Sequence, residues 1–550
     1  MTDKELADLM FPNVKHDIEY YEKMYPERDL PEGAVVSRFA PSPTGFVHMG
    51  SLLAAFIAQK VPRETNGVFY LRIEDTDGKR SVENGIQGII DDLKNFNIDI
   101  DEGVVSETEE KGNYGPYIQS KRKEIYETYA KHLVAEGLAY PCFCSPEEID
   151  EIRKIQEINK ERIGYYGSYA KCRFLTNEER AARIKNGDPY IVRLKSPGDF
   201  NKKVELNDLV RGRIEFPEND LDIVIIKSDG LPLYHFAHVI DDHLMHTTHI
   251  LRGEEWISST PVHLQLFKVL GFKTPKYAHL GVIMKIDEEG MRRKLSKRKD
   301  PEAAVSYYHE QGIPVEAVKL YLMTIANSNF EGWWDQNPTL SYNDFKFDFK
   351  KMSVSGSLFD LEKLLNISRS YISRLKAEEV YEKTLDWAKE FDKEFADIIT
   401  KNKNYTTAIL NIEREQKKPR KDYESFSSIK NYIWYMFDEY FNGDLKYDFQ
   451  KITDNEEIKN ILSTYINKYY NDNDDKETWF NKIKELSTEL GYCADMKEYK
   501  ANPEAYKGNV ADISTVIRVA TTTSSQTPDL YEILRLLGKD RIQKRFDKFM

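Results

Sequence analysis

The chain has 550 residues, of which 40% are hydrophobic and 31% are charged, a composition typical of a folded protein with roughly three to five domains. Its formal net charge of −13 argues against non-specific packaging of nucleic acid, although a local basic face could still bind it. No apolar run is long enough to cross a bilayer, the first residues lack a secretory pattern, and four cysteines cannot form a disulfide framework at this length. We therefore expect a cytoplasmic protein without a membrane partner.

The predicted elements begin after a polar N-terminal extension at residues 1–33. Residues 34–39 form a short buried strand, a turn rich in Pro and Gly follows, and residues 50–61 are apolar at helical spacing. A second strand is predicted at 68–73 and a second helix at 82–96. The order strand, helix, strand, helix predicts a parallel sheet, and ligands gather at the carboxyl ends of such strands.

The next part of the chain departs from this alternation. Residues 141–220 look like an insertion that begins with Pro-Cys-Phe-Cys, and the sheet is expected to resume at 221–226. From about 370 to the end the pattern is helical throughout. The predicted fold class is therefore α/β, with a parallel-sheet domain, an inserted domain and a mostly α-helical C-terminal region.

The first chemical motif lies in the turn between the first strand and the first helix. Residues 38–45 read Arg-Phe-Ala-Pro-Ser-Pro-Thr-Gly, and residues 48–51 read His-Met-Gly-Ser. Free backbone N–H groups at a helix N-terminus attract phosphate oxygens, and Gly45 and Gly50 allow close approach. The segment superficially resembles a Walker loop, but position 50 is not lysine, so we reject a P-loop.

The second motif is Lys-Leu-Ser-Lys-Arg at residues 294–298. Lysines on a mobile loop can close over the charge that develops as pyrophosphate leaves. Alone, such a basic run is more often a solvated loop or a nucleic-acid contact. Together with the first motif, it predicts a triphosphate site.

Three side chains near predicted strand ends suit a dicarboxylic amino acid. Arg38, Tyr234 and Arg252 could hold carboxylates through charge-assisted hydrogen bonds, and Glu74 could hold an ammonium group. The alternative is that the arginines are partners in structural ion pairs.

The insertion carries a candidate zinc site. Cys142, Cys144 and Cys172 could bind zinc, with Tyr166, Tyr169 or water as the fourth ligand. The alternative is three buried or free thiols.

At these residues the chain resembles the bacterial-type glutamyl-tRNA synthetases, a family of class I aminoacyl-tRNA synthetases. Besides the two motifs, the resemblance rests on residues 72–77, 234–242, 250–256 and 359–364. The motifs that carry the resemblance are specific over residues 34–300 and less specific from there to about 370. Beyond 370 the resemblance extends only to the domain architecture.

The family resemblance implies a reaction in two steps. Glutamate attacks the α-phosphate of ATP to give glutamyl-adenylate and pyrophosphate, and the glutamyl group then passes to the terminal adenosine of tRNA-Glu. ATP would carry Mg²⁺, and catalysis would come from positioning and charge stabilisation, without a covalent enzyme intermediate.

Matching positions assign roles to individual residues. The glutamate pocket would be lined by Arg38, Phe39, Ala40, Glu74, Tyr234, His238 and Arg252. ATP would contact His48, Gly50, Glu255, Ile283, Lys294, Leu295, Ser296, Lys297 and Arg298. The catalytic residues among them would be His48, Lys294 and Lys297.

Some positions depart from the family pattern. His238 stands where the family usually has Asn, and Ser51 stands where class I enzymes at large often have His. The zinc site of some members has a His two residues after the third Cys, and that place is Phe174 here. A structural zinc ion therefore stays one of two alternatives.

The resemblance also implies a domain plan. It gives an N-terminal extension (1–33), a Rossmann-like catalytic domain in two halves (34–140 and 221–300), an acceptor-stem insertion (141–220), a stem-contact domain (301–370) and a helical anticodon-binding region (371–550). In the last region, the basic run 417–421 with Trp434 and Tyr435 could contact splayed bases.

Other functions fit the sequence less well. Glutaminyl-tRNA synthetases typically carry Pro-Glu-Pro-Asn-Gly in the first motif and a β-barrel anticodon domain, which this chain lacks. A catalytically dead tRNA-binding protein need not keep His48, Lys294 and Lys297, and a small nucleotidyltransferase would not need the long tail. Whether tRNA-Gln is also charged stays open, and we expect a monomer.

Overall fold

The computed structural model describes residues 1–45, 47–77, 82–296, 298–337 and 340–550. The chain divides into two compact units, Met1–Tyr307 with Lys319–Asp360 and Tyr308–Val318 with Leu361–Met550. Among the residues described, no helix has the length and the apolar character that crossing a membrane requires.

The strands are short and lie in the first unit. In chain order they are β1 (Val36–Phe39), β2 (Val68–Leu71), β3 (Glu102–Val104), β4 (Glu110–Lys111), β5 (Ala139–Cys142), β6 (Ile191–Leu194), β7 (Lys203–Asp208), β8 (Gly212–Pro217), β9 (Val224–Ile226), β10 (His249–Gly253), β11 (Lys276–Leu280), β12 (Ile283–Ile286), β13 (Arg292–Lys294) and β14 (Ser357–Leu358).

The helices occur in both units. In chain order they are α1 (Asp3–Met10), α2 (Ile18–Met24), α3 (Met49–Glu64), α4 (Gly85–Asn95), α5 (Lys123–Ala135), α6 (Pro146–Ile158), α7 (Asn177–Lys185), α8 (Tyr234–Leu244), α9 (Thr260–Val269), α10 (Ser306–Glu310), α11 (Val315–Ala326), α12 (Phe330–Gln336), α13 (Leu361–Arg374), α14 (Ala377–Phe391), α15 (Lys393–Lys401), α16 (Lys403–Leu410), α17 (Ile429–Ile433), α18 (Asn455–Thr464), α19 (Lys476–Glu489), α20 (Met496–Ala501), α21 (Val510–Thr522) and α22 (Leu530–Phe546).

The parallel sheet predicted from the sequence is confirmed. β1 pairs in parallel with β2, β2 with β3, and β10 with β11. The amide of Thr248, just before β10, donates to the carbonyl of Val36 at 2.9 Å, which places β10 beside β1. All of β1 is buried, as expected for a parallel strand covered on both faces. The carboxyl ends of β1, β2, β10 and β11 therefore meet at one edge.

Helix α3 begins at the first motif, close to its predicted start. His48 is its N-cap, and the residues Leu52, Ala55 and Phe56 turn an apolar face toward the core, where they are buried. The predicted helix at 82–96 is observed as α4. The two helices connect β1 to β2 and β2 to β3, so they are the crossovers that a parallel sheet requires.

The prediction that the sheet resumes at 221–226 was wrong. β9 pairs antiparallel with β6, and β6 pairs antiparallel with β5, so these three strands form a sheet of their own. β7 and β8 form a separate hairpin. A short apolar run is compatible with a buried strand in either sheet. The sequence pattern therefore does not determine which strand pairs with β9.

The polar N-terminal extension is folded against the first unit. Its helices α1 and α2 lie near α5, and Tyr25 is buried with its hydroxyl donating to the carbonyl of Gly115 at 2.8 Å. The guanidinium of Arg28 donates to both carboxylate oxygens of Glu102, at 2.7 and 3.0 Å. Residues 1–33 are therefore packed against the rest of this unit through a few buried side chains.

The second unit is helical, as predicted. Its helices share one apolar core, in which Val380, Ile399, Ile461, Ile517 and Ile542 are fully buried. Amphipathic helices that bury their apolar faces against one another need no sheet for stability.

Candidate active site

A cavity of about 630 Å³ lies where the carboxyl ends of the parallel strands meet. Most of the predicted site residues line it: Arg38, Phe39, Ala40, His48, Gly50, Glu74, Tyr234, Arg252, Glu255, Ile283, Lys294 and Leu295. His238 is buried behind this wall, whereas Ser296 and Arg298 are described but do not line the cavity. Lys297 lies outside the described residues. The two motifs, far apart in sequence, thus border one cavity.

The first motif presents the start of α3 to the cavity. The Nδ1 of His48 accepts a hydrogen bond from the amide of Ser51 at 3.1 Å, so the imidazole caps the helix. A Cβ atom at Gly50 would lie 3.1 Å from Cε1 of His48, so glycine gives this ring the room it needs. The first turn of the helix therefore borders the cavity with backbone N–H groups, which favour anions.

Backbone pairing continues past the ends of β1 and β2. The amide of Arg72 donates to the carbonyl of Phe39, and the amide of Glu74 donates to the carbonyl of Pro41, both at 3.0 Å. These bonds hold the turn that follows β1 beside the segment that follows β2. Ala40 and Glu74 consequently lie on the same wall.

A buried network of charges supports this wall. Arg38 donates to the two carboxylate oxygens of Asp242 at 3.1 and 3.3 Å. Arg72 donates to Asp242 at 2.8 Å and to Glu74 at 2.9 Å. Burial would raise the pKa of Asp242, but Arg38 and Arg72 hold it well below its ordinary value. Burial raises the pKa of Glu74, and Arg72 opposes that shift.

Arg72 and Asp242 are functional candidates to which the sequence assigned no functional role. Both are almost fully buried and join Arg38 to Glu74. The segments that contain them carry the family resemblance, which was the available signal. Their role follows from contacts between residues about 170 positions apart, which no local pattern shows.

His238 faces the same network from α8. Its Nδ1 lies 2.7 Å from Oδ2 of Asp242, and because a carboxylate only accepts, this nitrogen carries the hydrogen. Burial lowers the pKa of His238 to about 3, so the ring is neutral at physiological pH. Its Nε2 is buried and has no hydrogen-bond partner among the described residues.

Tyr234 was expected near a strand end, but it is the first residue of α8. Its ring stacks on His238 with centroids 5.4 Å apart and lies 4.4 Å from the ring of Trp256. Burial raises the pKa of its hydroxyl to about 12, so Tyr234 offers a neutral hydroxyl to the cavity.

Arg252, at the end of β10, keeps its charge without a carboxylate partner in the described part of the chain. Its Nε donates to Nε2 of His279 at 2.9 Å, and Nη1 lies 3.0 Å from Nδ1 of His263. Its Nη2 donates to the hydroxyl of Thr260 at 3.0 Å. All these acceptors are neutral groups, so the positive charge stays available to an anionic ligand.

Among the further side chains that line the cavity, Trp256 and Lys227 were given no role from the sequence. Trp256 covers Tyr234, and the ammonium group of Lys227 donates to the carbonyl of Thr76 at 2.9 Å. Lys227 follows β9, whose place in the fold was mispredicted. It also pairs with Asp229 at 2.9 Å, which reduces the charge it can offer.

The lysine motif starts on a strand and continues into a tied loop. Lys294 ends β13, is exposed and lines the cavity. Asp300 accepts two hydrogen bonds from Arg293 at 2.6 and 2.7 Å and one from the amide of Ser296 at 2.9 Å. The hydrogen bonds from Arg293 lower the pKa of Asp300, which stays ionised. Asp300 thus holds the start and the end of this loop together.

The three thiols predicted to bind zinc lie together in the insertion. The Sγ atoms of Cys142, Cys144 and Cys172 are within 4.8 Å of one another, and the last two are 3.6 Å apart. Tetrahedral zinc with Zn–S bonds of about 2.3 Å holds its sulfurs about 3.8 Å apart. The hydroxyl of Tyr165 lies 3.5 and 3.2 Å from Cys142 and Cys144.

The expected tyrosine ligands have other partners. The hydroxyl of Tyr166 donates to the carbonyl of Arg162 at 2.8 Å, and that of Tyr169 donates to Glu161 at 2.5 Å. Of the tyrosines in this segment, the one that points at the thiols is therefore Tyr165.

Two family models match the chain. The model described as the catalytic domain of class I tRNA synthetases (E and Q) matches residues 34–365, and an anticodon binding domain matches residues 379–550. The first match contains every residue that lines the cavity.

Named relatives are similar along their whole length. The chain is 50% identical over 552 residues to a glutamate–tRNA ligase of Clostridium beijerinckii, and 48% identical over 551 residues to one of Acetivibrio thermocellus, covering 100% of each chain. Among solved structures, a glutamate tRNA ligase of Elizabethkingia meningosepticum in complex with its amino acid is 25% identical. It superposes with a TM-score of 0.76 over 94% of this chain and 99% of that one.

Proposed function

This chain belongs to the family of class I tRNA synthetases for glutamate and glutamine, and from that membership we infer that it is a glutamate–tRNA ligase. The observation that carries this inference is Arg252. A buried arginine with only neutral partners among the described residues borders the cavity that also holds the start of α3 and Lys294. A carboxylate and a polyphosphate can bind there side by side.

The reaction has two steps. A carboxylate oxygen of glutamate attacks the α-phosphorus of ATP, and pyrophosphate leaves with the electron pair of the broken P–O bond. The 2′-hydroxyl of the terminal adenosine of tRNA then attacks the glutamyl carbonyl, loses its proton, and AMP leaves. Neither step forms a bond to the enzyme, so catalysis comes from alignment and from stabilising the charge on phosphate.

The glutamate side of the cavity combines the charge of Arg252 with polar groups. Arg252 pairs with a carboxylate of glutamate, and Glu74, partly neutralised by Arg72, accepts from the ammonium group. The hydroxyl of Tyr234 donates to the substrate, and the buried ring of His238 supports Tyr234 and Asp242 from behind the wall. Arg38, Phe39 and Ala40 complete the wall.

The ATP side combines the start of α3 with the lysine motif. His48 and Gly50 place backbone N–H groups against the phosphates, and Glu255 and Ile283 contact the nucleoside. Lys294 and Lys297 supply positive charge as pyrophosphate leaves, and Leu295, Ser296 and Arg298 complete the loop. ATP enters with Mg²⁺ bound to its phosphates, and the protein needs no cage of its own for that ion.

The thiol cluster holds a structural zinc ion. Cys142, Cys144 and Cys172 supply three sulfur ligands, and the hydroxyl of Tyr165 is the fourth ligand or supports a water in that place. The ion would cross-link the end of β5 and the residues just after it to the segment before α7, and it takes no part in the reaction.

The second unit reads the anticodon. Bases splayed from a loop stack on exposed aromatic rings and pair with basic side chains. Tyr435 was predicted to do this, but it is 6% exposed and cannot offer a face. Trp434 is half-buried against the core of this unit. The exposed Lys417 and Lys418 remain candidates, and Tyr432, with 37% exposure, is a further one that the sequence did not single out. The enzyme acts as a monomer in the cytoplasm, where tRNA is charged.

The test is charging of purified tRNA-Glu and tRNA-Gln with radiolabelled glutamate and, separately, glutamine. Glutamate on tRNA-Glu alone is the expected result. Glutamate on both tRNAs would make the enzyme non-discriminating and would require an amidotransferase downstream. Glutamine on tRNA-Gln would indicate a glutaminyl-tRNA synthetase, and folded protein that charges no tRNA would contradict the proposal.

A further inference from the structure

Asp208, at the end of β7, is buried and saturated with hydrogen bonds. Its Oδ1 accepts from the amides of Val210 and Arg211 at 3.0 and 2.9 Å. Its Oδ2 accepts from the amide and from Nδ1 of His279, at 3.1 and 2.7 Å. Burial would raise the pKa of Asp208, but the hydrogen bond from His279 holds it below its ordinary value, so the carboxylate is charged.

This carboxylate fixes the tautomer of His279. Because Nδ1 donates to Asp208, the hydrogen of the neutral ring is on Nδ1, and Nε2 is left as an acceptor. Nε2 lies 2.9 Å from Nε of Arg252, which can only donate. His279 is fully buried, so this hydrogen bond is shielded from water.

The remaining contacts of Arg252 follow from this anchor. A guanidinium is planar, so a fixed Nε–H bond sets the plane in which both Nη groups lie. In that plane Nη1 meets His263 and Nη2 meets Thr260, and the ring of Tyr277 lies under the group at 4.9 Å. A guanidinium held in this way loses little freedom when a ligand binds.

We propose that Asp208 and His279 are positioning residues for glutamate: Asp208 sets the tautomer of His279, and His279 aims Arg252 into the cavity. The chain of groups runs from β7, in the segment expected to be the insertion, to the end of β10 in the parallel sheet. Asp208 touches no substrate. This inference rests on the proposed function, because it needs Arg252 to bind glutamate.

The proposal is tested by measuring ATP–pyrophosphate exchange, with glutamate and tRNA-Glu present, for the variant Asp208→Asn. The amide cannot keep the carboxylate's charge, so His279 is no longer held in one tautomer. We expect the KM for glutamate to rise about tenfold or more and the KM for ATP to stay within about twofold. Asp188→Asn, an ion-paired but partly exposed aspartate of the same segment, is the matched control and should match the parent.

A second pair of variants keeps the proposal testable if Asp208→Asn does not fold. His279→Leu removes the acceptor for Arg252 and should raise the KM for glutamate as Asp208→Asn does. His279→Gln retains an oxygen acceptor and should recover part of that loss. An unchanged KM for glutamate in folded variants, or an equal rise in both KM values, would overturn the proposal.

A double-mutant comparison separates positioning from direct binding. If Asp208 acts through Arg252, adding Asp208→Asn to Arg252→Ala should change the KM for glutamate by less than about twofold. A full tenfold further loss would mean that Asp208 acts on another group. Absence of glutamate-dependent exchange in the parent protein would instead refute the proposed function, so the two failures are distinguishable.

Discussion

The guanidinium of Arg38 is paired with the carboxylate of Asp242, 3.1 Å from Nε to Oδ1, and both side chains are almost fully buried. Asp242 also accepts from Arg72, so the two arginines share its charge. Arg252, in contrast, meets only neutral acceptors in the described part of the chain. The arginines on this wall are therefore unequal, and Arg252 is the one poised to bind an anion.

Arg252→Ala should raise the KM for glutamate roughly ten- to hundredfold, because a charge-assisted hydrogen bond to the substrate is lost. The KM for ATP should change little. Arg252→Lys keeps the charge but loses the planar guanidinium. Its KM for glutamate should therefore lie between that of the parent and that of Arg252→Ala. Pyrophosphate exchange measures both constants, and an equal loss for both substrates would mean that Arg252 is structural.

Lys297→Ala should abolish most adenylate formation while the melting temperature stays unchanged, because positive charge on the lysine motif stabilises the departing pyrophosphate. We expect a fall in kcat of about a hundredfold or more. Lys299→Ala removes an exposed lysine from the same basic run and is the control. Exchange that survived in Lys297→Ala at near the parent rate would contradict the assignment.

The thiol cluster should bind one zinc ion per chain. Cys144→Ser should release most of it, as measured by elemental analysis of the purified protein, and should lower the melting temperature. Cys493→Ser changes a buried cysteine of the second unit that is not part of the cluster, and it should leave the zinc content as it was. If the parent protein contains no zinc and is fully active, the three cysteines are free thiols and do not form a metal site.

Acid should destabilise the first unit, because His238 and His263 are buried in their neutral forms. Burial lowers the pKa of His238 to about 3 and that of His263 well below its ordinary value. In the unfolded chain both histidines have a pKa of about 6.5. Between these values the unfolded state binds more protons, so stability is full above about pH 6.5 and falls as the pH drops below it.

Each of these histidines should contribute up to about 1.4 kcal/mol per pH unit to the slope of unfolding free energy. Thermal unfolding between pH 7.5 and 5.5 measures this slope, and His238→Asn should flatten it. Identical slopes for the variant and the parent would show that His238 is not buried in the neutral form.

Much of the site was predictable because its residues stand next to strand ends. Arg38, Glu74 and Arg252 each follow from a strand pattern, a motif and a family resemblance, and the cavity brings them together. The sequence could not predict which of the arginines in the site are neutralised by a buried carboxylate. Asp242 neutralises Arg38 from a helix 204 positions away, and that pairing depends on packing between elements.

The missed features have the same physical origin. The run at 223–226 is equally suited to two sheets, and only the fold shows that β9 pairs with β6. Asp208 and His279 meet across 71 positions, on strands of different sheets. Tyr234 was misplaced because the apolar run 236–240 suits a strand or a buried helix, and it forms the helix α8.

The pairing of β9 with β6 limits how the gene can be cut. A fragment that lacks residues 141–220 would lose half of β5 and all of β6, and it would leave β9 with an unpaired edge that invites aggregation. A transplant of residues 139–226 between relatives would instead carry the three-stranded sheet whole. Recombination can therefore exchange this module at the borders of its sheet.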